Sequence, residues 1–285
     1  MYPPKFDYYR AADIKDAQKL LKEHEGAKLM AGGHSLIPVM KLRLADPGTV
    51  IDIGSLDGLK GISVSGSTVN IGALTTHAML AASSDLPQAL SGAAACIGDP
   101  QVRNRGTIGG NIAHADPASD LPTVLLALGA TIHMAKQGKD RSVAASDFFV
   151  DLFETALEED ELITNISLPT EGAGTGSAYA KLFNPASRYA MVGVAASVTM
   201  SGGKCTNVSV AIGGLTPKPM SCGSVTAALN GTAGSAADIA AAAAAVANDL
   251  GDEVMGDIHA SAEYRRQMAP VFVRRALTAA IENAS

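Results

Sequence analysis

The sequence predicts an α+β protein built as two units, and three observations carry that expectation. Up to Thr170, short β-rich runs alternate with helical segments. A glycine-rich stretch, Glu171-Gly172-Ala173-Gly174-Thr175-Gly176-Ser177, then interrupts the pattern and reads as a linker. Beyond it, three apolar runs come first and helical sequence comes last, the order of a small antiparallel sheet with helices on one face. The break divides the chain into residues 1–171 and 177–285. With 285 residues and 47% hydrophobic content, each unit can bury a core of its own.

In chain order, 13–24 places Ile14, Ala17, Leu20 and Leu21 on one helical face, with Asp13 as N-cap and Gly26 just past the end. Lys28, Leu29 and Met30 make a short strand that runs into a glycine pair. Segments 49–53, 62–64 and 68–73 read as strands, the last two joined by the turn Ser65-Gly66-Ser67. Helices are expected at 75–82, 86–96 and 121–128, and strands at 130–135 and 161–168. Residues 98–120, GDPQVRNRGTIGGNIAHADPASD, are rich enough in Gly, Pro, Asn and Asp to predict irregular backbone. A long irregular segment inside a compact domain marks function. In the second unit, 178–183, 193–200 and 205–212 are strands, the latter two closed by the hairpin turn Ser201-Gly202-Gly203-Lys204. The alanine-rich 235–250 has strong helix propensity, and 261–283 is helical with a kink or division expected at Pro270.

Two glycine segments carry the chemistry: Ala31-Gly32-Gly33-His34-Ser35, and Thr107-Ile108-Gly109-Gly110-Asn111. A Gly-Gly step removes two Cβ atoms and permits positive φ, so successive backbone N–H groups can turn onto an anion. Each segment also holds small polar side chains able to donate to phosphate: His34 and Ser35 in one, Thr107 and Asn111 in the other. A single glycine pair is usually only a turn. Two of them, with matching donors, point to a dinucleotide whose pyrophosphate is clasped from both sides.

A net charge of −6 and a pI near 5.5 leave no basic stripe for nucleic acid. No apolar run approaches a membrane span, since the longest, 236–247, contains Asp238. The N-terminus lacks a basic region followed by an apolar one, which makes the cytoplasm the expected location. Cys96, Cys205 and Cys222 are widely spaced, and no HExxH, GxSxG, P-loop or zinc-type cluster occurs. Metal chemistry, if any, is therefore expected in another chain.

The stretches KLMAGGHSLIPVMKLRLADP (28–47), IGDPQVRNRGTIGGNIAHADPASDLP (97–122) and KLFNPASRYAMVGVA (181–195) resemble the flavin-binding medium subunit of the molybdenum hydroxylases, the family of xanthine dehydrogenase and aerobic carbon monoxide dehydrogenase. The AGGHS and TIGGN pair resembles the carbon monoxide dehydrogenase branch, and the likeness covers essentially the whole chain. It implies a vanillyl-alcohol-oxidase (PCMH) type FAD-binding domain of two subdomains, followed by a small α+β C-terminal domain. By position, Lys28, Leu29, Met30, Ala31, Gly32, Gly33, His34, Ser35 and Leu36, with Thr107, Gly109, Gly110 and Asn111, would line the FAD pyrophosphate and its ribose arms. Ser119 and Asp120 match positions at the adenosine half; Ile97, Leu162 and Ile163 match apolar positions beside flavin or adenine; Lys181 and Tyr189 match positions near the isoalloxazine. His114 joins this set as a loop residue expected to add little affinity, rather than as a metal ligand.

The implied role is electron transfer on FAD. The implied partners are a large molybdenum-cofactor subunit and a small subunit with 2Fe-2S clusters, assembled as a dimer of heterotrimers, with no catalytic residue in this chain itself. The alternative is a self-contained flavoprotein oxidase that binds its own substrate; it is disfavoured because the second unit offers no acid/base pair. Single residues keep plainer readings too. Asp120 could be the N-cap of 121–128, Lys181 a solvated strand lysine, and Tyr189 a packed aromatic.

Overall fold

The computed structural model describes residues 1–284. The chain begins with a three-stranded parallel sheet in which Thr49–Asp52 lies between Asp7–Arg10 and Lys28–Met30. Helix Ile14–Glu23 starts where the Asp13 carboxylate accepts from the Asp16 N–H at 2.8 Å. It buries Ala17 and Leu21 with Ile51 and Ile53 of the sheet. Strand Asp7–Arg10 is an addition to the sequence reading. All four of its residues are exposed, so it carries no alternation to detect.

A five-stranded antiparallel sheet follows, in the order Ile62–Ser65, Thr68–Gly72, Leu162–Pro169, Thr131–Lys136, Lys139–Ala144. The returning strand Leu162–Pro169 occupies its centre. Helices His77–Ala82, Gln88–Ala95, Ile108–His114 and Leu121–Ala127 contribute Leu80, Leu90, Ile108, Ile112, Leu121 and Leu125 to a core shared with Ile71, Ile132 and Ile166. Leu74 and Leu162 instead complete the small core of the parallel sheet, which joins the two subdomains.

Residues 98–120 are not irregular throughout. They hold helices Pro100–Arg103 and Ile108–His114, capped by Asp99 (2.9 Å to the Val102 N–H) and by Thr107 (3.2 Å to the Gly110 N–H). Capping and the burial of Ile108 and Ile112 outweigh the poor helix propensity of the glycines.

The second unit is a four-stranded antiparallel sheet, Thr175–Phe183, Ala190–Ser201, Lys204–Gly213 and Met220–Ser221 in that order. The linker is shorter than expected, because Thr175, Gly176 and Ser177 already belong to the first strand. Gly176 lies so close to the C-terminal helix that a Cβ would stand 2.4 Å from the Ala284 nitrogen. The helices of this unit lie on one face of the sheet, as expected, and the first unit covers the other. Helix Ala262–Asn283 packs on the former, while Ala195 and Ala211 face the core of the first unit. A Cβ on Gly213 would fall 2.1 Å from Thr123 Oγ1, which explains the small residues there. The C-terminal helix runs unbroken through Pro270. Burial of Ala269, Phe272, Val273, Ala276, Leu277 and Ala280 against the sheet offsets the lost backbone bond of about 3 kcal/mol. The alanine-rich segment is two helices, Ala236–Ala244 and Val246–Asp249.

Candidate functional site

The first glycine segment leaves strand Lys28–Met30 and enters helix Leu36–Lys41. Among the described residues, the N–H groups of Gly32, Gly33, His34 and Ser35 have no acceptor. Gly33 has φ 73°, where a side chain is strained. The exposed His34 has its Nδ1 3.2 Å from the Gly32 carbonyl oxygen. These four donors are the arrangement an anion requires.

The second segment contributes differently from expectation. Its N–H groups are used inside the protein: Ile108 donates to Thr75 O (3.0 Å), Gly109 to Ala73 O (2.8 Å), Gly110 to Thr107 Oγ1 (3.2 Å) and Asn111 to Thr107 O (2.9 Å). None of its glycines has positive φ. They permit close packing instead: a Cβ on Gly109 would lie 2.7 Å from Ala73, and one on Gly110 would face Ala31 at 3.7 Å. Asn111 Oδ1 accepts from Ser119 Oγ at 2.7 Å, so its amide group is the part free to donate outward.

The first segment packs at Gly32 on the residues that lead into the second. A Cβ there would fall 1.9 Å from the Arg105 carbonyl oxygen and 3.1 Å from Gly106 Cα. Beside the junction lies a cavity of about 260 Å³ rimmed by Arg10, Asp52, Ser55, Lys60, Asn104 and Arg105, with Ala31, Gly32 and Thr107 in its wall. It opens at the C-terminal ends of the parallel strands, where α/β sheets bind ligands. Arg10 and Arg105 have no ion-pair partner among the described residues, so the rim favours anions.

Asp120, Tyr179 and Lys181 form a buried set. Lys181 Nζ lies 2.8 Å from Asp120 Oδ2, and the Tyr179 hydroxyl donates to Oδ1 at 2.7 Å. Burial pushes the Asp120 carboxyl up, against the opposing pull of Lys181 and Tyr179. Asp120 makes no capping bond to helix Leu121–Ala127, so the N-cap reading fails: its carboxylate is turned away to Lys181. The solvated reading of Lys181 fails as well, since its side chain is 4% exposed. Its ammonium also donates to the Cys96 carbonyl, next to Ile97. Tyr189 is exposed overall, yet enclosure of its phenol, then the carboxylates of Asp116 and Asp120, push that group up.

Other positions lie farther from this arrangement. Lys28 is exposed at the end of its strand remote from the loop. Leu162 and Ile163 belong to two different cores. Ile97 is partly buried against the larger core, and its carbonyl accepts from Arg103 at 2.9 Å. His114 ends its helix with its ring 5.2 Å from that of Phe153, at the opposite end from Thr107. Sequence reasoning missed His77, Arg103, Tyr179 and Arg265. The Thr76 cap marks a helix start beside His77, but burial of its ring depends on contacts remote in sequence.

The orphaned N–H donors, the glycine junction that a Cβ would fill and the cationic rim all fit a dinucleotide such as FAD. Residues 4–171 match the model for the FAD binding domain in molybdopterin dehydrogenase, and 177–280 that for the CO dehydrogenase flavoprotein C-terminal domain. The chain is 40% identical to the carbon monoxide dehydrogenase medium chain of Afipia carboxidovorans, over 97% of each chain. It is 37% identical to the 6-hydroxypseudooxynicotine dehydrogenase complex subunit alpha of Paenarthrobacter nicotinovorans, over 100% of this chain and 97% of that one. Its fold is similar to that of a solved carbon monoxide dehydrogenase from Hydrogenophaga pseudoflava, with a TM-score of 0.95, 40% identity and full coverage of both chains. Among the described residues, no helix is long and apolar enough to cross a membrane.

Proposed function

The chain belongs to the FAD-binding medium subunits of the molybdenum hydroxylases, oxidoreductase components that transfer electrons on FAD, and from that premise we propose how its residues serve the role. The observation that carries the reading is the row of unpaired N–H groups at Gly32, Gly33, His34 and Ser35 beside a cavity with a cationic rim. Those N–H groups hold the pyrophosphate, and the Asn111 amide adds a donor from the second segment. Helix Ile108–His114 acts chiefly as the platform that fixes the first loop in height. FAD supplies the capacity to take up electrons singly and release one or two.

The 2.8 Å contact of Lys181 with Asp120 puts the two at one place rather than at the flavin and adenosine ends that the resemblance implies; beside Cys96 and Ile97 they would shape the surroundings of the flavin, with Tyr189 near its edge. The electrons come from 2Fe-2S clusters of a small partner subunit and leave to an external acceptor. A large partner holds the molybdenum cofactor and the substrate. Relatives named for carbon monoxide and for 6-hydroxypseudooxynicotine match this chain at 40% and 37% identity, which supports assigning substrate choice to that large subunit. The assembly is a dimer of heterotrimers in the cytoplasm.

The test is isolation of the complex from its native host through a tag on this chain. Molybdenum, iron and FAD should co-purify with one large and one small partner, at a mass of two heterotrimers. A lone flavin-loaded chain that turns over a substrate would instead establish the self-contained oxidase.

A further inference from the structure

Helix Leu36–Lys41 grows directly out of the first glycine loop. The Ile37 N–H donates to the Gly33 carbonyl and the Val39 N–H to the Ser35 carbonyl, each at 3.1 Å. A Cβ on Gly33 would lie 2.9 Å from Ile37 Cδ1, so this side chain stands against the loop. Met40 is the buried anchor of the helix. The helix then closes in a Schellman turn, with the Arg43 N–H on the Met40 carbonyl at 3.1 Å and the Leu44 N–H on the Val39 carbonyl at 3.0 Å. Glycine is the usual residue at the left-handed position of such a turn, and here it is Arg43, with φ 62°. Strain of this kind is retained where a surface has work to do.

The turn presents a surface that is both apolar and basic. Leu42 and Leu44 are 60% and 75% exposed, and Ile37 is 39% exposed. Single exposed aliphatic residues are ordinary, but three within eight positions make a patch. Lys41 and Arg43 are exposed between them, and neither has an ion-pair partner among the described residues. Asp46 is the only acid in 36–46, in a chain whose net charge is −6. The segment is a cationic exception on an acidic protein.

We propose that residues 37–44 are the docking surface for the subunit that carries the 2Fe-2S clusters, an assignment that rests on the electron-transfer reading above. Two features select this partner. Electron transfer weakens steeply with distance, so the subunit that delivers electrons comes closest to FAD. The patch is hydrogen-bonded to the glycine loop, and six helical residues carry it only about 9 Å away. A 2Fe-2S cluster held by four cysteine thiolates is anionic, so a protein face beside one complements Lys41 and Arg43. Leu42 and Leu44 supply the apolar centre of the contact, and the two cations its rim.

The experiment uses the complex isolated through a tag on this chain, with a photo-crosslinking residue at position 44 and, in a second preparation, at position 42. Irradiation should join this chain to the subunit that holds iron and acid-labile sulfide. An adduct to the large subunit or to a second copy of this chain overturns the proposal, as does no adduct from either position. Lys41→Glu combined with Arg43→Glu should release the small subunit on dilution about tenfold faster at low salt, and the difference should shrink as salt rises. Equal release from this variant and wild type at low salt also overturns it. Arg43→Gly separates docking from folding: it relieves the left-handed turn, so FAD content should match wild type while the small subunit leaves about threefold faster. Iron and flavin are measured in the same wild-type preparation. A wild-type complex without an iron-sulfur subunit would overturn the electron-transfer reading itself, an outcome distinct from an adduct to the wrong partner.

Discussion

Lys181 Nζ stands 2.8 Å from Asp120 Oδ2, with the two side chains 4% and 6% exposed. Lys181 lies on the first strand of the second unit, and Asp120 directly precedes a helix of the first. The pair, with Tyr179 on the other carboxylate oxygen, is thus a polar bolt through the apolar contact between the units. Removing one member of a buried pair leaves the other charge without compensation. Lys181→Met should therefore cost about 3–5 kcal/mol in denaturant unfolding, and adding Asp120→Asn should recover most of that loss.

The same pair bears on the flavin. An isolated lysine charge would favour an anionic reduced flavin, but Lys181 and Asp120 together carry no net charge. Lys181→Met alone should lower the flavin midpoint potential, and the double variant should bring it back toward wild type. Spectroelectrochemical titration of the complex decides this; equal potentials in wild type and Lys181→Met would remove Lys181 from any electrostatic role.

The glycines should differ in tolerance. A Cβ on Gly32 meets the backbone oxygen of Arg105 at 1.9 Å, a clash that no side-chain rotation relieves. A Cβ on Gly33 meets the flexible end of Ile37 at 2.9 Å and is strained by its positive φ, at about 1–2 kcal/mol. At Gly110 the nearest atom is Thr107 Oγ1 at 3.0 Å. FAD content of the three alanine variants should fall in the order Gly32, Gly33, Gly110, with Gly32→Ala retaining almost none.

What could be read from sequence was what local chemistry decides. The Asp13 cap, the hairpin at Gly202 and Gly203, and the positive φ of Gly33 each follow from residues within a few positions. The helices at Pro100–Arg103 and Ile108–His114 were obscured by low propensity, although Asp99 and Thr107 are ordinary caps. Asp120 and Lys181 are 61 positions apart, and no pattern in either segment announces the other. From sequence the N–H groups of Gly109, Gly110 and Asn111 read as donors to a ligand, because their acceptors on Ala73 and Thr107 become known only once the chain is folded.

Glu161 gives a pH prediction. Its buried carboxylate receives Arg141 Nε at 2.6 Å, the same guanidinium at 2.7 Å and the Glu158 N–H at 2.8 Å. Arg141 holds the carboxyl below the usual range, against burial. A depressed carboxyl contributes stability above its unfolded pKa, near 4.3, and that contribution disappears as pH falls through the folded value. Unfolding free energy should therefore drop below about pH 4.3 in wild type and less steeply in Glu161→Gln. At pH 7, Arg141→Met should cost about 1–3 kcal/mol, less than a fully buried pair because Arg141 is partly exposed.

Arg265 gives the last prediction, because it reaches the site from a distance. Its guanidinium, buried on helix Ala262–Asn283, donates to the carbonyls of Met191 and Gly214 and pairs with Asp257. Immediately beyond those carbonyls, the Ala190 N–H donates to Ala118 O and the Gly214 N–H to Pro117 O, each at 3.0 Å. The chain of contacts ends at Ser119 and Asp120 on one side and at Tyr189 on the other. Arg265→Met should cost about 3–5 kcal/mol and perturb the flavin absorption of whatever complex survives. Arg265→Lys should rescue little, since a single ammonium cannot span carbonyls that the planar fork reaches together. Asp257→Asn takes the counter-charge from the buried Arg265 guanidinium but keeps an oxygen that can accept from it, and should cost about 1–3 kcal/mol, less than Arg265→Met. If Arg265→Met alters stability but leaves the flavin spectrum of the complex as in wild type, the connection to Tyr189 is broken and the residue serves the C-terminal unit alone.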